Sequence, residues 1–323
     1  MTCKFFPPLP LAGEGRGEGK PLWLVLVAAL LASCGNYSNE DLEFMNAVPA
    51  HEDISANMPP SALSPADEAQ LSKETHDVIT NFNGLLGILE GIDKIRTYPP
   101  TGRIPNGRVW GPYSMAPEHP LWLARFTMTR DPNAPERFTY LLEVEPIGAG
   151  DGGWIKFIDG TFVSTGGGVR QGMGTFHIQA DGVRVANFGV LPDKDGNLFR
   201  ELTVMYSTAA FPISVSMTLV LSPGADVTNT FTIVYHYEAQ EDGRAGMEFV
   251  GTDSSSGASL SIQSRWLATG RGRADAMAQN GMGQGATWSE CWNDSFMSTY
   301  DDKPWDPQLH GGDAASCPDI STF

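Results

Sequence analysis

The chain has 323 residues, with 21 Lys and Arg against 38 Asp and Glu, a formal charge of −17 at pH 7. That sign excludes a nucleic-acid binder that works by neutralising phosphates. The 16 Phe, 8 Trp and 8 Tyr supply enough ring surface for a core, which excludes an acidic disordered tail, and 4 Cys are too few for a disulfide-framework miniprotein.

The first element is an address. Lys20 precedes an apolar run from Pro21 to Ala32, and small residues lead from it into Cys34. The run is shorter than the roughly 20 residues a bilayer span needs and has the length of a signal-peptide apolar region. A single such run also excludes a polytopic membrane protein. An ordinary signal peptide with a chance cysteine and a short anchor helix are the bland alternatives. Leu31-Ala32-Ser33-Cys34 resembles a bacterial lipobox. The resemblance implies cleavage between Ser33 and Cys34, two acyl chains on the Cys34 sulfur and a third on the new amino terminus. One chain anchors marginally and two or more anchor firmly. Gly35, rather than Asp, after the cysteine implies sorting to the outer membrane. Residues 1–19 are rich in Pro and Gly and contain Glu14 and Glu18, unlike a short basic leader. They look like a translated intergenic repeat, with the start placed too far upstream. Residues 1–33 are therefore expected to be a lipoprotein signal peptide with a spurious extension. Removing them takes away Lys4, Arg16, Lys20, Glu14 and Glu18, which leaves Cys34–Phe323 with 18 basic and 36 acidic residues, a charge of −18.

Residues 34–63 are polar and spotted with Pro49, Pro59 and Pro60, and read as a tether holding one short helix capped by Ser38. Ser64-Pro65-Ala66-Asp67 is a helix start, with Ser64 as cap, Pro65 in the first turn and acids at the positive end of the dipole. Leu71, Val78, Phe82, Leu85, Leu89 and Ile92 then recur at helical spacing, predicting an amphipathic, core-facing helix over 64–97. Gly84, Gly87 and Gly91 weaken its second half and are expected to let another backbone approach; Pro99-Pro100 end it.

From about residue 107 the period becomes two. Strands are predicted at 108–113, 121–129, 137–145, 154–164, 174–180, 183–187, 198–206, 213–221, 228–237, 246–252, 258–267, 271–277 and 286–291, separated by Asp-Gly, Pro-Gly and Gly-rich turns. This rhythm predicts an antiparallel meander. In 228–237, Phe231, Ile233, Tyr235 and Tyr237 share one face, the pattern of a strand with one buried and one wet side. So many strands cannot stay flat. The fold class is mainly β, a large curved sheet, half-barrel or barrel with the long helix against it; a β-sandwich is the alternative. Residues 64–323 are expected to form a single domain.

Cys291 and Cys317 remain after processing. In an oxidising envelope they are expected to pair, closing the Pro- and Gly-rich tail onto the last strand; two free thiols are the alternative. The rest of the chemistry is thin. Asp193-Lys194-Asp195-Gly196-Asn197 lacks the glycine and carboxylate spacing of a calcium loop and reads as a hairpin turn. The histidines 51, 76, 119, 177, 236 and 310 show no metal-ligand spacing, and no Gly-x-Ser-x-Gly elbow is present. Glu143 and Glu145 share a strand face and are the one pair that could serve as acid and base. No catalytic residue, metal or cofactor is assigned.

The passages Ser289-Glu290-Cys291-Trp292 and Gly312-Asp313-Ala314-Ala315-Ser316-Cys317, with Gly174-Thr175-Phe176-His177-Ile178 and Arg265 to Asp275, resemble a set of uncharacterised β-rich lipoproteins of myxobacteria and related bacteria. The resemblance covers about residues 64–318. It implies the β fold, the lipid anchor and the disulfide, and implies no activity. Three functional readings are open. The first is a non-enzymatic lipoprotein of the outer membrane, held by its lipid anchor, with an envelope or interaction role and no nucleic-acid partner. The second is a module binding a lipid or another apolar ligand. The third is a glycan hydrolase using Glu143, Glu145 or a turn Asp, which requires two carboxyls roughly 5–9.5 Å apart in one cleft.

Overall fold

The computed structural model describes residues 37–64, 67–115, 119–150, 152–180, 197–223, 229–280, 283–305 and 311–318. The chain divides into two units, residues 1–38 and 39–323, and the described helices and strands all belong to the second. Ser33 and Cys34, the predicted strand 183–187 and Asp193–Gly196 of the predicted turn lie outside the described residues.

Four helices come first: α1 (Asn39–Met45), α2 (His51–Ile54), α3 (Gln70–Leu86) and α4 (Ile88–Arg96). The strands follow as β1 (Gly102–Ile104), β2 (Gly107–Met115), β3 (His119–Asp131), β4 (Ala134–Pro146), β5 (Ile155–Ser164), β6 (Gly172–Gln179), β7 (Asn197–Ser207) and β8 (Ile213–Pro223). They continue as β9 (Phe231–Ala239), β10 (Ala245–Asp253), β11 (Ser259–Trp266), β12 (Gly272–Gln279), β13 (Thr287–Trp292), β14 (Ser298–Asp302) and β15 (Gly311–Gly312). Every strand pairs antiparallel with its neighbours in sequence, giving one fifteen-stranded meander whose two edges, β1 and β15, do not meet among the described residues. The predicted curved meander is therefore the fold, open rather than closed, and neither a barrel nor a sandwich. β1, β14 and β15 were not legible in the sequence.

Alternation decides which face is buried. Phe126, Met128, Tyr140, Leu142, Val204, Met217, Tyr235 and Ala274 point to one side and join α3 and α4 in one core. α4 packs on β2, while α3 packs on β10, β12 and β13. Flat, β2 and β13 would stand about 53 Å apart at the usual strand spacing. The two helices together are only about 40 Å long, so the sheet has curled around them. Phe82 of α3 meets Tyr235 edge-on with ring centres 5.9 Å apart, and Thr75 Oγ1 lies 2.6 Å from Ser264 Oγ inside the same interface. Large rings need room on a pleated surface. Gly160 and Gly174 provide it, since a Cβ at the first would collide with the Tyr140 ring and at the second would stand 2.5 Å from the Tyr206 hydroxyl.

The helical region corrects expectations about the long helix, its glycines and the tether. α3 begins at Gln70 and not at Ser64: the Ser64 hydroxyl donates to Asp67 Oδ2 at 2.6 Å in an exposed turn. The helix is capped from across the fold, where the buried carboxylate of Glu290 on β13 accepts the Leu71 N–H at 2.5 Å. No local cap can compete with one supplied by the sheet it packs on. The long helix is also two helices, divided at Gly87. Gly84 and Gly91 face open space, with nothing within 4 Å of where a Cβ would stand, so they admit no neighbouring backbone.

The last correction concerns the tether. From Asn39 onward, residues 34–63 are built into the unit: Phe44, Ala47, Val48, Ile54 and Ala56 are buried in the core. Asn83 holds the Ala56 backbone through both amide atoms at 2.9 Å. The Trp266 indole donates to Asn57 O at 3.2 Å. Asp41 accepts from Arg103 at 2.8 Å and from Arg108 at 2.5 Å, and Glu43 pairs with Arg130. Polar composition concealed these contacts because the partners lie far along the chain, on α3 and on strands β1 to β3 and β11.

Cys291 and Cys317 form the expected disulfide across a sequence separation of 26. It holds the short helical turn Ala314–Ser316 against β13 and β14, and Arg271 donates to the Ser316 carbonyl.

Candidate functional site

The register of the meander places the polar side chains of the outer face in rows across the strands. Glu143 and Glu145 both lie on that face, but they are not a matched pair. Arg125, directly opposite on β3, donates to Glu143 Oε2 at 2.8 and 3.1 Å, and its guanidinium stacks 4.2 Å from the Trp154 ring. Glu145 is buried by the loop that carries Gly153, and its Oε2 has no hydrogen-bond partner among the described residues. One carboxylate is thus neutralised and the other covered, and neither lines the groove beside Ser216 or the larger cleft beside α1.

Two histidine clusters occupy the same face. His177 on β6 lies 2.8 Å from Glu201 on β7 and 3.6 Å from Asp159 on β5. Farther along, Ser216 Oγ on β8 lies 2.9 Å from His236 Nδ1 on β9, and His236 Nε2 lies 3.2 Å from Glu238 Oε1. Neither cluster is visible without the register, because Asp159, His177 and Glu201 are 18 and 24 positions apart and Ser216 meets His236 only across β8 and β9. Serine, histidine and carboxylate in series can move a proton. Acyl transfer also needs donors aimed at a developing oxyanion. β8 and β9 are paired on both sides, so their backbone N–H groups are spent in the ladder. A shallow groove of about 390 Å³ runs past Ser216, lined by Thr161, Val163, Met173, Thr175 and Met205. Thr161 and Thr175 bond each other there at 3.0 Å, and Thr129 bonds Thr139 at 2.6 Å one step on. This face is rich in hydroxyls and carries isolated acid–base groups.

A larger cleft of about 630 Å³ opens at one end of the sheet, between α1 and the β5–β6 hairpin. Its floor is Phe138, Phe162 and Ala47, and its rim carries Glu43, Glu136 and Arg170. Arg170 is fixed by Asp53 at 2.5 Å, and that carboxylate holds its guanidinium above the usual range. Behind the cleft, Arg96 is buried, donating to Met45 O and Asp93; burial draws it below the ordinary guanidinium value. Burial pushes the Tyr140 hydroxyl well up, and it donates to Thr175 O at 2.7 Å. An apolar floor with a few convergent polar groups is the usual form of a binding site.

Of the residues singled out in the sequence, Cys291 and Cys317 are brought together and Glu143 and Glu145 are held apart in chemistry. Among the described residues no group of three His, Cys, Asp or Glu is placed to hold a metal ion. No helix of the described residues is long and apolar enough to cross a membrane. Comparison with known protein families, with curated proteins and with solved structures finds no match for this chain.

Proposed function

We propose that the protein is a lipid-anchored component of the bacterial cell envelope, of the β-rich lipoprotein type its sequence resembles, that recognises a partner at the outer membrane and does no chemistry on it. The observation that carries this reading is the position of Leu31-Ala32-Ser33-Cys34, which ends five residues before the compact unit begins at Asn39. A mature chain starting at Cys34 has almost nothing but folded domain behind its anchor. The disulfide between the two cysteines of the resembling motifs fits an oxidising compartment. The cleft beside α1 and the hydroxyl-rich outer face are the surfaces available to a partner, and Glu143 paired with Arg125 and Glu145 buried, neither lining that cleft or the groove beside Ser216, weigh against a glycan hydrolase. Detergent-phase partition of the wild type and of Cys34→Ala tests the reading. The wild type is expected in the detergent phase with the outer membrane fraction, and the variant in the aqueous phase. Equal partition of the two defeats it.

A second reading, an apolar-ligand module, is favoured by the floor of the larger cleft, Phe138 and Phe162. Native mass spectrometry of mildly purified protein is expected to retain a lipid-sized ligand if that reading holds, and bare protein removes it.

A further inference from the structure

A meander of antiparallel strands sends alternate hairpins to opposite ends. The β1–β2, β3–β4, β5–β6 and β7–β8 connections all leave one end of the sheet. The amino-terminal segment is fastened along that end by ion pairs: Asp41 to Arg103 and Arg108, Glu43 to Arg130, and Asp53 to Arg170. The same end bears exposed apolar side chains, Leu42 at 45%, Ile104 at 48%, Val169 at 65% and Phe211 at 52%. They form a line and not scattered points. Arg103, next to Ile104, grips Asp41, next to Leu42. The cleft joins Glu43 of α1 to Val169 of the β5–β6 hairpin, and Thr208 of the Phe211 hairpin donates to Arg170 O at 2.9 Å.

The geometry points to a bilayer as the occupant of this line: the hairpin end carrying Leu42, Ile104, Val169 and Phe211 rests in the headgroup layer of the membrane that holds the anchor. This inference rests on acylation of Cys34. Asn39 lies five positions after Cys34, and five extended steps of chain reach at most about 18 Å. β4, with 13 residues, is about 43 Å long. The anchor therefore keeps the Asn39 end at the bilayer surface while leaving the opposite hairpins free to stand away from it. Apolar side chains at that depth gain burial, each favourable by the area it removes from water. Exposed Leu121 and Ile147 sit at the opposite end, beyond the reach of the anchor in this orientation, and serve as the control.

The test uses the lipidated protein isolated from its own membranes and placed in vesicles of phosphatidylethanolamine and phosphatidylglycerol containing a phospholipid with a diazirine in its headgroup. After irradiation, adducts are mapped by mass spectrometry. Several-fold more adduct is expected on the 165–171 and 208–212 hairpins than on 147–154 and 253–258. The exposed double variant Val169→Asp with Phe211→Asp is expected to lose that excess while keeping its acyl mass. Adducts spread evenly over both ends, or concentrated near Leu121 and Ile147, overturn the inference while leaving the anchor intact. An unacylated chain defeats the anchor and this inference together.

Discussion

Asp41→Asn separates a built-in amino-terminal segment from a tether. The Asp41 side chain is 0% exposed and the Arg108 side chain 4%, and Asp41 accepts from Arg108 at 2.5 Å and from Arg103 at 2.8 Å. Burial pulls the Arg108 guanidinium down, and its bonds to Asp41 and Glu40 more than offset that, leaving it above its ordinary range. Removing one partner of a buried pair costs about 3–5 kcal/mol because the other charge is stranded. Glu40 remains 2.5 Å from Arg108, so the lower end, about 3 kcal/mol, is expected here. Replacing both partners with apolar groups strands no buried charge, since Arg103 and Glu40, which also lose a partner, are 45% and 48% exposed. Asp41→Leu with Arg108→Met should therefore cost less than Asp41→Asn alone. Urea unfolding followed by tryptophan fluorescence gives the free energies, and limited proteolysis should cut Asp41→Asn first within residues 39–63. A loss under about 1 kcal/mol, the value of a solvated surface pair, with unchanged proteolysis, would refute the reasoning.

Three further outcomes rest on other contacts of the same unit. The disulfide closes a loop with a sequence separation of 26, for which loop-closure entropy gives about 3.5 kcal/mol; Cys291→Ser with Cys317→Ser should lower the urea midpoint accordingly, and an unchanged midpoint counts against the entropic argument. Burial raises the Glu290 carboxyl above its ordinary value, so its contribution to stability is present below the ordinary glutamate range and lost as pH rises through the raised one. Glu290→Gln, which still accepts the Leu71 N–H, should gain on the wild type as pH rises from about 4 to about 8; a pH-independent difference excludes this. Burial pushes Tyr235 up to about 12 and Tyr140, Tyr206 and Tyr237 upward as well. Their stabilising protons are retained below the ordinary tyrosine value of about 10 and lost through the raised ones. Tyrosinate absorbance from these four should therefore rise only with the loss of circular dichroism, and an earlier, gradual rise contradicts the burial.

The sheet was legible because alternation is a local signal. Phe231 to Tyr237 announce both a strand and its buried face. β1, β14 and β15 were not, since Gly102–Ile104 and Gly311–Gly312 are too short to alternate and Ser298–Asp302 carries no apolar stripe. The start of α3 was misplaced because Ser64-Pro65-Ala66-Asp67 is a sound local cap, whereas the cap in place, Glu290, lies 219 positions from Leu71. The amino-terminal segment failed for the same reason: its acids look like solvated linker until Arg103, Arg108, Arg130 and Arg170 stand beside them. The pairing of Cys291 with Cys317 was legible from their count, given the oxidising compartment the sequence led one to expect. The Ser216–His236–Glu238 series was not, since it exists only once Ser216 and His236 are set opposite each other across β8 and β9.

The anchor is the claim on which the proposed role turns, and intact-mass spectrometry of the protein isolated from bacterial membranes reads it directly. The expected species begins at Cys34 and carries three acyl chains. A chain that begins elsewhere, or that begins at Cys34 without lipid, contradicts the account.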